Sequence, residues 1–60
     1  MPFETELRRA AEQLELARQR RDAAIVRASE AGLPRRRVAE AVGLSSSRVQ
    51  QILDERRPKR

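Results

Sequence analysis

The stretch RRRVAEAVGLSSSRVQQILD, residues 35–54, decides the fold of this chain. Apolar residues recur in it at helical spacing on both sides of a glycine. Gly43 can adopt the positive φ that ends a helix, and Ser45 is a good N-cap for the helix that follows. The pattern predicts one short helix over residues 35–42 and another from Ser45 to about residue 56. The residues expected to face inward are Val38, Ala39, Val42, Leu44, Val49, Ile52 and Leu53.

The segment before this stretch is typical of one long helix. From Phe3 to about Ala31 it contains no Gly or Pro, and helix-favouring Ala, Leu, Glu, Gln and Arg dominate. Gly32, Leu33 and Pro34 then supply a helix-ending residue, its hydrophobic contact and a stop. Oppositely charged pairs at helical spacing support the helix: Glu4–Arg8, Glu6–Arg9, Glu15–Arg18 and Arg18–Asp22. With no strand signal, the sequence predicts an all-α protein, a long N-terminal helix followed by two short ones in a three-helix core.

Composition excludes several classes of function. The chain has 60 residues, no cysteine and no histidine, which removes disulfides, thiolate metal sites and the usual general base. A chain this short has few ways to surround carboxylates with a desolvated pocket. We therefore expect no enzyme, no cofactor, no metal and no small-molecule ligand. The sequence also lacks an apolar run long enough to span a membrane and a signal-peptide core, so a cytoplasmic protein is expected.

The positive charge is concentrated in the second half of the chain. Residues 1–31 carry six Arg and six acids, whereas residues 32–60 carry eight basic residues and three acids, which accounts for the net charge of +5. Such asymmetry favours a polyanionic partner for the second half. A solvated basic surface without a partner is the alternative.

The spacing of small and apolar residues within 35–54 adds a more specific prediction. Two helices that cross over a tight turn need a small residue at their closest approach, here Ala39, a glycine in the turn, here Gly43, and an apolar anchor such as Val49. The stretch resembles the helix-turn-helix of bacterial transcription regulators and of resolvase/invertase-type recombinases, and the promoter-reading region of sigma factors. The resemblance covers residues 24–54 and implies binding of double-stranded DNA. An αα-hairpin that packs and binds nothing is the alternative.

Helical geometry selects the residues that would meet DNA. With Val49 facing inward, Ser47 and Gln51 point outward, and Arg48 and Gln50 flank them. The resemblance implies nearly the same base-reading set: Ser46, Ser47, Gln50 and Gln51, with Arg48 beside them. Gln can pair with adenine, Ser with several base edges and Arg with guanine.

The remaining basic residues are candidates for phosphate contacts. Arg35, Arg36 and Arg37 stand at a helix N-terminus, where cations oppose the helix dipole, so stability alone does not favour them. A phosphate backbone would turn that cost into attraction. The predicted phosphate contacts are Arg35, Arg36, Arg37, Ser45, Arg56, Arg57, Lys59 and Arg60.

The long helix also carries a heptad pattern of apolar residues that the short core is too small to bury. Seam positions at alternating steps of four and three hold Phe3, Leu7, Ala10, Leu14 and Ala17, followed by Arg21, Ala24 and Ala28. We expect the first five to mediate a homodimer, which would suit a pseudo-palindromic DNA site. The pattern leaves parallel and antiparallel packing open, and a charged helix that simply extends into solvent is the alternative.

These predictions divide the chain into three parts. Residues 1–23 are expected to be the projecting, dimerising half of the long helix, residues 24–55 the DNA-binding core, and residues 56–60 a basic tail. The resemblance implies a transcriptional regulator that binds DNA sequence-specifically. Two alternatives stay open, namely a non-specific nucleoid-associated or DNA-architecture protein and an antitoxin-like or adaptor-like interaction module.

Overall fold

A computed structural model describes residues 2–56 of the chain, and all regular structure in that range is helical. Helix α1 spans Pro2–Glu30, α2 spans Arg35–Val42, and α3 spans Ser46–Arg56. The predicted all-α class is therefore confirmed, and each predicted helix end lies within one residue of the observed one. No helix among the described residues is both long and apolar enough to traverse a lipid bilayer.

Helix α1 ends by the predicted glycine mechanism. Gly32 adopts a φ of 96°, the left-handed region that a residue with a side chain rarely enters. The chain then turns back, so that the Leu33 N–H donates to the Ala28 carbonyl at 3.1 Å and the Gly32 N–H to the Ser29 carbonyl at 3.0 Å. Two carbonyls of the last turn, which the helix itself leaves unpaired, are thereby satisfied.

The turn between α2 and α3 is built from Gly43 to Ser45. Gly43 has a φ of 71°, and its N–H donates to the Ala39 carbonyl, which also accepts the Leu44 N–H at 3.1 Å. The Ser45 hydroxyl oxygen accepts the Arg48 N–H at 3.0 Å, which confirms Ser45 as the N-cap of α3. Gly43 ends α2 and Ser45, two residues later, caps α3, and together they fix the short connection between the two helices.

All three helices contribute to one small core. Its buried residues are Ile25 from α1, Val38 and Ala39 from α2, and Val49, Ile52 and Leu53 from α3, with Val26, Ala28, Val42 and Leu44 packed partly against them. The α2 and α3 residues are those predicted to face inward. In α1, the core residue is Ile25 rather than the predicted seam residue Ala24, which is exposed. The face of α1 that meets the core is thus centred on Ile25 and overlaps the seam only at Ala28.

The first two thirds of α1, residues 2–20, project away from this core, and we call this segment the α1 arm. Every residue of the arm is exposed. The chain measures 47 Å along its longest axis, and its radius of gyration is 14.5 Å, whereas a compact chain of this length would have about 10 Å. Within residues 2–56, the four ion pairs predicted along α1 do not form. Exposed pairs at this spacing gain only about 0.3–0.5 kcal/mol, too little to hold long side chains in one conformation.

Candidate functional site

The outward face of α3 forms an open polar surface, which we call the α3 surface. Val49 and Ile52 are buried at 0% and 1% exposure, and this fixes the rotation of the helix about its axis. Ser47 and Gln51 consequently lie on the opposite, exposed side, as predicted. A shallow depression of about 450 Å³ runs over this surface; it is lined by Ser45, Ser47, Arg48, Gln50, Gln51 and Asp54.

A chain of two hydrogen bonds connects the start of α2 to the α3 surface. The Arg35 Nη1 donates to Gln50 Oε1 at 2.7 Å, and Gln50 Nε2 donates to Asp54 Oδ1 at 2.9 Å. The arginine therefore sits beside the polar face of α3, although fifteen positions separate it from Gln50 in sequence. These two bonds use one of the two amide hydrogens and one of the two oxygen lone pairs of Gln50, so they orient this side chain and leave one donor and one acceptor site on it.

Gln51 is held differently from its neighbour. Arg48 Nη1 donates to Gln51 Oε1 at 3.0 Å and lies 3.9 Å from Glu55 Oε1. The Gln51 amide nitrogen has no hydrogen-bond partner among residues 2–56. Gln51 thus presents a free donor at the centre of the α3 surface, and the adjacent Arg48 orients its carbonyl oxygen.

The three arginines at the start of α2 are all exposed. The helix begins after Pro34 without a side-chain cap and without an acidic residue in its first turn. Arg36 approaches Glu40 at 4.0 Å, but both side chains are mostly in solvent, so the pair offsets little of the unfavourable dipole interaction. The positive charge at this end of α2 is therefore left largely uncompensated.

The other predicted phosphate and base contacts lie at the two ends of α3 or outside the described residues. Ser45 uses its hydroxyl oxygen as the α3 cap, and Ser46 is half-buried in the first turn of α3. Arg56 belongs to the last turn of α3 rather than to a separate tail, and its Nε lies 3.8 Å from Asp22 Oδ2 in α1. Arg57, Lys59 and Arg60 lie outside the described residues.

A polar cleft of about 370 Å³ separates α1 from the Arg48 side of α3. Asp22 lies within it, 3.0 Å from Arg21 Nη2 and 3.8 Å from Arg56 Nε. Its ionisable lining residues are Arg18, Arg21, Arg48 and Arg56 against Glu15 and Asp22, so the cleft carries an excess of positive charge. Sequence reasoning missed this cleft, because no local spacing signals that residues so far apart in the chain will meet.

The residues predicted to mediate dimerisation lie on one face of the continuous α1 helix. Phe3, Leu7 and Leu14 are exposed by 72%, 69% and 54%. Ala10 and Ala17 are also exposed. Large apolar side chains at this exposure form a patch that a monomer leaves in contact with water.

Comparison of the chain with protein-family models, with curated protein sequences and with solved structures finds no match in any of the three. No family membership follows for the chain. Its function is therefore inferred from its own side chains and their arrangement.

Proposed function

We propose that this chain is a small dimeric helix-turn-helix protein that binds double-stranded DNA sequence-specifically and regulates transcription. One observation carries the proposal. The face of α3 opposite the core is composed of Ser47, Arg48, Gln50 and Gln51, and the arginine-bearing start of α2 is hydrogen-bonded to it. Hydrogen-bonding side chains for base edges and cations for phosphates thus form one continuous surface.

The dimensions of α3 suit the major groove. Its 11 residues make a rod about 16 Å long, and a groove about 12 Å wide admits one α-helix. The buried Ala39 and the positive φ of Gly43 allow α2 and α3 to pack closely at the turn, while α1 covers their other side. Helix α3 can then enter the groove while α2 lies across the backbone.

Within the α3 surface, Gln51 and Ser47 are the first candidates for base contacts. Gln51 points directly outward with a free amide donor, and an amide can pair with the N6 and N7 atoms of adenine. Gln50 can join through its second amide hydrogen and the second lone pair of its oxygen, in the orientation that Arg35 and Asp54 impose. Arg48 can reach guanine or a phosphate from the flank. Ser46, which is half-buried, is the least accessible of the predicted base-reading residues.

Phosphate contacts are assigned to the start of α2 and to the first turn of α3. Arg35, Arg36 and Arg37 supply the charge, and the free N–H groups around Ser45 add donors at a helix N-terminus. Arg56 can take part if it leaves Asp22. A protein that neutralises about six phosphates would lose affinity steeply as salt rises. Such a protein, with no catalytic role, would reside on the bacterial nucleoid.

Selection of bound duplexes from a random pool tests the proposal. We expect enrichment of a pseudo-palindrome, because a twofold dimer presents two α3 helices to related half-sites. Absence of binding even at low salt would overturn DNA binding and favour an interaction module. Binding without enrichment of any sequence would instead identify a non-specific, architectural DNA-binding protein.

A further inference from the structure

From Leu7 onward, the exposed seam of α1 alternates large and small side chains, and Phe3 adds another large side chain before Leu7. In heptad terms Phe3, Ala10 and Ala17 occupy d positions, while Leu7, Leu14 and Arg21 occupy a positions. Every member up to Ala17 is exposed, and Arg21 is half-buried at the edge of the core. A partner that fits this seam must therefore place small residues opposite the leucines and large residues opposite the alanines.

The charges that flank the seam are segregated along its length. Glu4 and Glu6 lie at the N-terminal end, in e and g positions. Arg18 and Arg20 occupy the same e and g positions two heptads later. Within residues 2–56, no ion pair links any of these four side chains to another residue of the chain. The flanks of the seam thus have an acidic end and a basic end, and neither end has an ion-pair partner within the described part of the chain.

We propose that a second copy of the chain packs on this seam in antiparallel orientation, centred on position 12. The inference deepens the proposed dimer and depends on it. In this register Leu7 faces Ala17 of the partner subunit, and Ala10 faces Leu14 of the partner subunit. Every leucine meets an alanine, so the helices can approach closely without leaving gaps.

The same register pairs the flanking charges. In an antiparallel pair of helices, e positions face e positions and g positions face g positions. Glu4 then meets Arg18 of the partner subunit, and Glu6 meets Arg20 of the partner subunit. Twofold symmetry repeats both pairs, so each of the unpartnered charges gains an opposite neighbour. Flanking pairs of this kind set the orientation of paired helices.

A parallel dimer has neither property. Each seam residue would then face its own copy, which stacks alanine on alanine and brings two copies of Arg21 together. Position g would face position e of the next heptad, so Glu6 would meet an alanine and Arg20 would meet Ile25. No pair of opposite charges results, and the acidic ends would lie side by side.

Other antiparallel registers are excluded by the core or lose the charge pairs. A shift of one heptad toward the core would place Phe3 on Ala28 of the partner subunit. Ala28 already packs against the core of its own chain, and the neighbouring Ile25 is only 1% exposed. A shift of one heptad in the other direction sets Glu6 opposite Gln13 and Glu4 opposite an alanine, which removes every charge pair.

The C-terminal end of the seam also fits the proposed register. In the proposed register Phe3 of the partner subunit lies over Arg21, whose guanidinium is held 3.0 Å from Asp22 and can rest against the aromatic ring. The partner's Glu4 arrives beside the α1–α3 cleft, whose lining has four arginines and two acids.

Distance measurements between two spin labels test the orientation. The chain has no cysteine, so Thr5→Cys and Glu12→Cys each give one labelling site on the outer, exposed side of α1. In the proposed dimer, position 5 lies opposite position 19 of the partner, an axial offset of about 21 Å, while position 12 lies opposite itself. Since the lateral separation is the same for both, we expect the Thr5 distance to exceed the Glu12 distance by about 10 Å.

Equal distances for the two labels would identify a parallel pair and overturn the antiparallel arrangement. Loss of all dipolar coupling, with a monomer in ultracentrifugation, would overturn the dimer itself. The spin-label distances and the ultracentrifugation are both measured without DNA. Failure of the antiparallel arrangement or of the dimer can therefore be distinguished from failure of DNA binding, which the duplex selection measures separately.

A charge reversal tests the register. Glu6→Arg should raise the dimer dissociation constant about tenfold, because two pairs become repulsive, and adding Arg20→Glu should restore it. Glu12→Arg is the matched control, since it changes the charge of the arm equally at a position that faces solvent. An equal effect of Glu6→Arg and Glu12→Arg, or no rescue by the second change, would overturn the register. Circular dichroism of each variant confirms that the helices are retained.

Discussion

The α1 arm and the segment from residue 21 to residue 56 are built from similar residues but differ in how many of them are buried. The arm buries no residue at all, although it carries Phe3, Leu7 and Leu14. The other segment buries six, none larger than Leu or Ile. Helix α1 thus continues well beyond the core, and the apolar side chains of the arm stay in contact with water in the single chain.

The difference assigns a separate task to each segment. In the core, apolar packing fixes the rotation of α3 and hence the direction of Ser47 and Gln51. In the arm, the large apolar residues are exposed and contribute little to the stability of the single chain, and the proposed dimer would bury them. Substitutions of the same chemical kind should therefore have different consequences in the two segments.

The largest contrast is expected between two apolar truncations. Ile52→Ala should lower the free energy of unfolding by about 2–5 kcal/mol, because it opens a cavity in a core of six buried residues. Leu7→Ala should leave the unfolding of the monomer nearly unchanged, since Leu7 is 69% exposed. Urea unfolding at concentrations where the chain is monomeric measures both. Similar losses for the two variants would show that the arm is part of the folding unit.

The second-largest contrast is expected when positive charge is removed from each segment and the salt dependence of DNA binding is measured. The triple variant Arg35→Ala, Arg36→Ala, Arg37→Ala should make the slope of log affinity against log salt shallower by about 5.4 for the dimer, because about three phosphate contacts are lost in each of its two subunits. The matched control removes three arginines from α1, at Arg8, Arg9 and Arg27, and should leave the slope unchanged. Fluorescence anisotropy with one duplex at several salt concentrations reports both slopes. A slope equally affected by the control would place the DNA contact elsewhere.

A third contrast uses two exposed glutamines. Gln51→Ala should weaken binding to the selected site by about 1–3 kcal/mol while leaving binding to unrelated duplexes nearly unchanged, because it removes a base contact. Gln19→Ala, on α1, should alter neither. Competition between the selected and unrelated duplexes measures the discrimination. Equal weakening on both duplexes would assign Gln51 to the backbone rather than to a base.

The smallest expected effect concerns the α3 cap. Ser45→Ala should lower stability by about 1 kcal/mol, because the Arg48 N–H loses the acceptor at 3.0 Å. Ser47→Ala should leave stability unchanged and reduce DNA affinity instead. Thermal unfolding combined with anisotropy separates the two roles. If both serines affect only stability, the serine triplet belongs to the helix start and not to the binding surface.

The helix ends and most of the core could be predicted from the sequence because local rules govern them. Gly32, Gly43 and Ser45 each act on their own neighbours, and helical spacing identifies Val49 and Ile52 as inward. Ile25 escaped prediction because the heptad seam passes through Ala24 and Ala28 on either side of it, whereas the core face is centred on Ile25 and shares only Ala28 with the seam. Only the packing of α2 and α3 reveals which face the core uses.

The residues of the α3 surface could be predicted from the sequence, but the hydrogen bonds that hold them could not. Helical angles place Gln50 and Gln51 on the outer side, but they cannot show that Arg35 holds the first and Arg48 the second. The Asp22–Arg56 contact likewise depends on how α3 crosses α1. Side chains on separate helices meet according to the angle and distance between those helices, and no spacing within one helix encodes either.

The uninterrupted length of α1 has one further consequence, since a rigid helix acts as a ruler. In the proposed antiparallel dimer, the two copies of Ile25 would lie about 26 residues, or about 39 Å, apart along the helix axis. One turn of DNA separates successive half-sites by about 34–36 Å. Insertion of one heptad at the centre of the arm would push the α3 helices about 10 Å further apart without rotating them, whereas about three added base pairs would turn the second half-site by about a third of a turn. The variant should therefore bind the operator more weakly, and a spacer lengthened by about three base pairs should not restore binding.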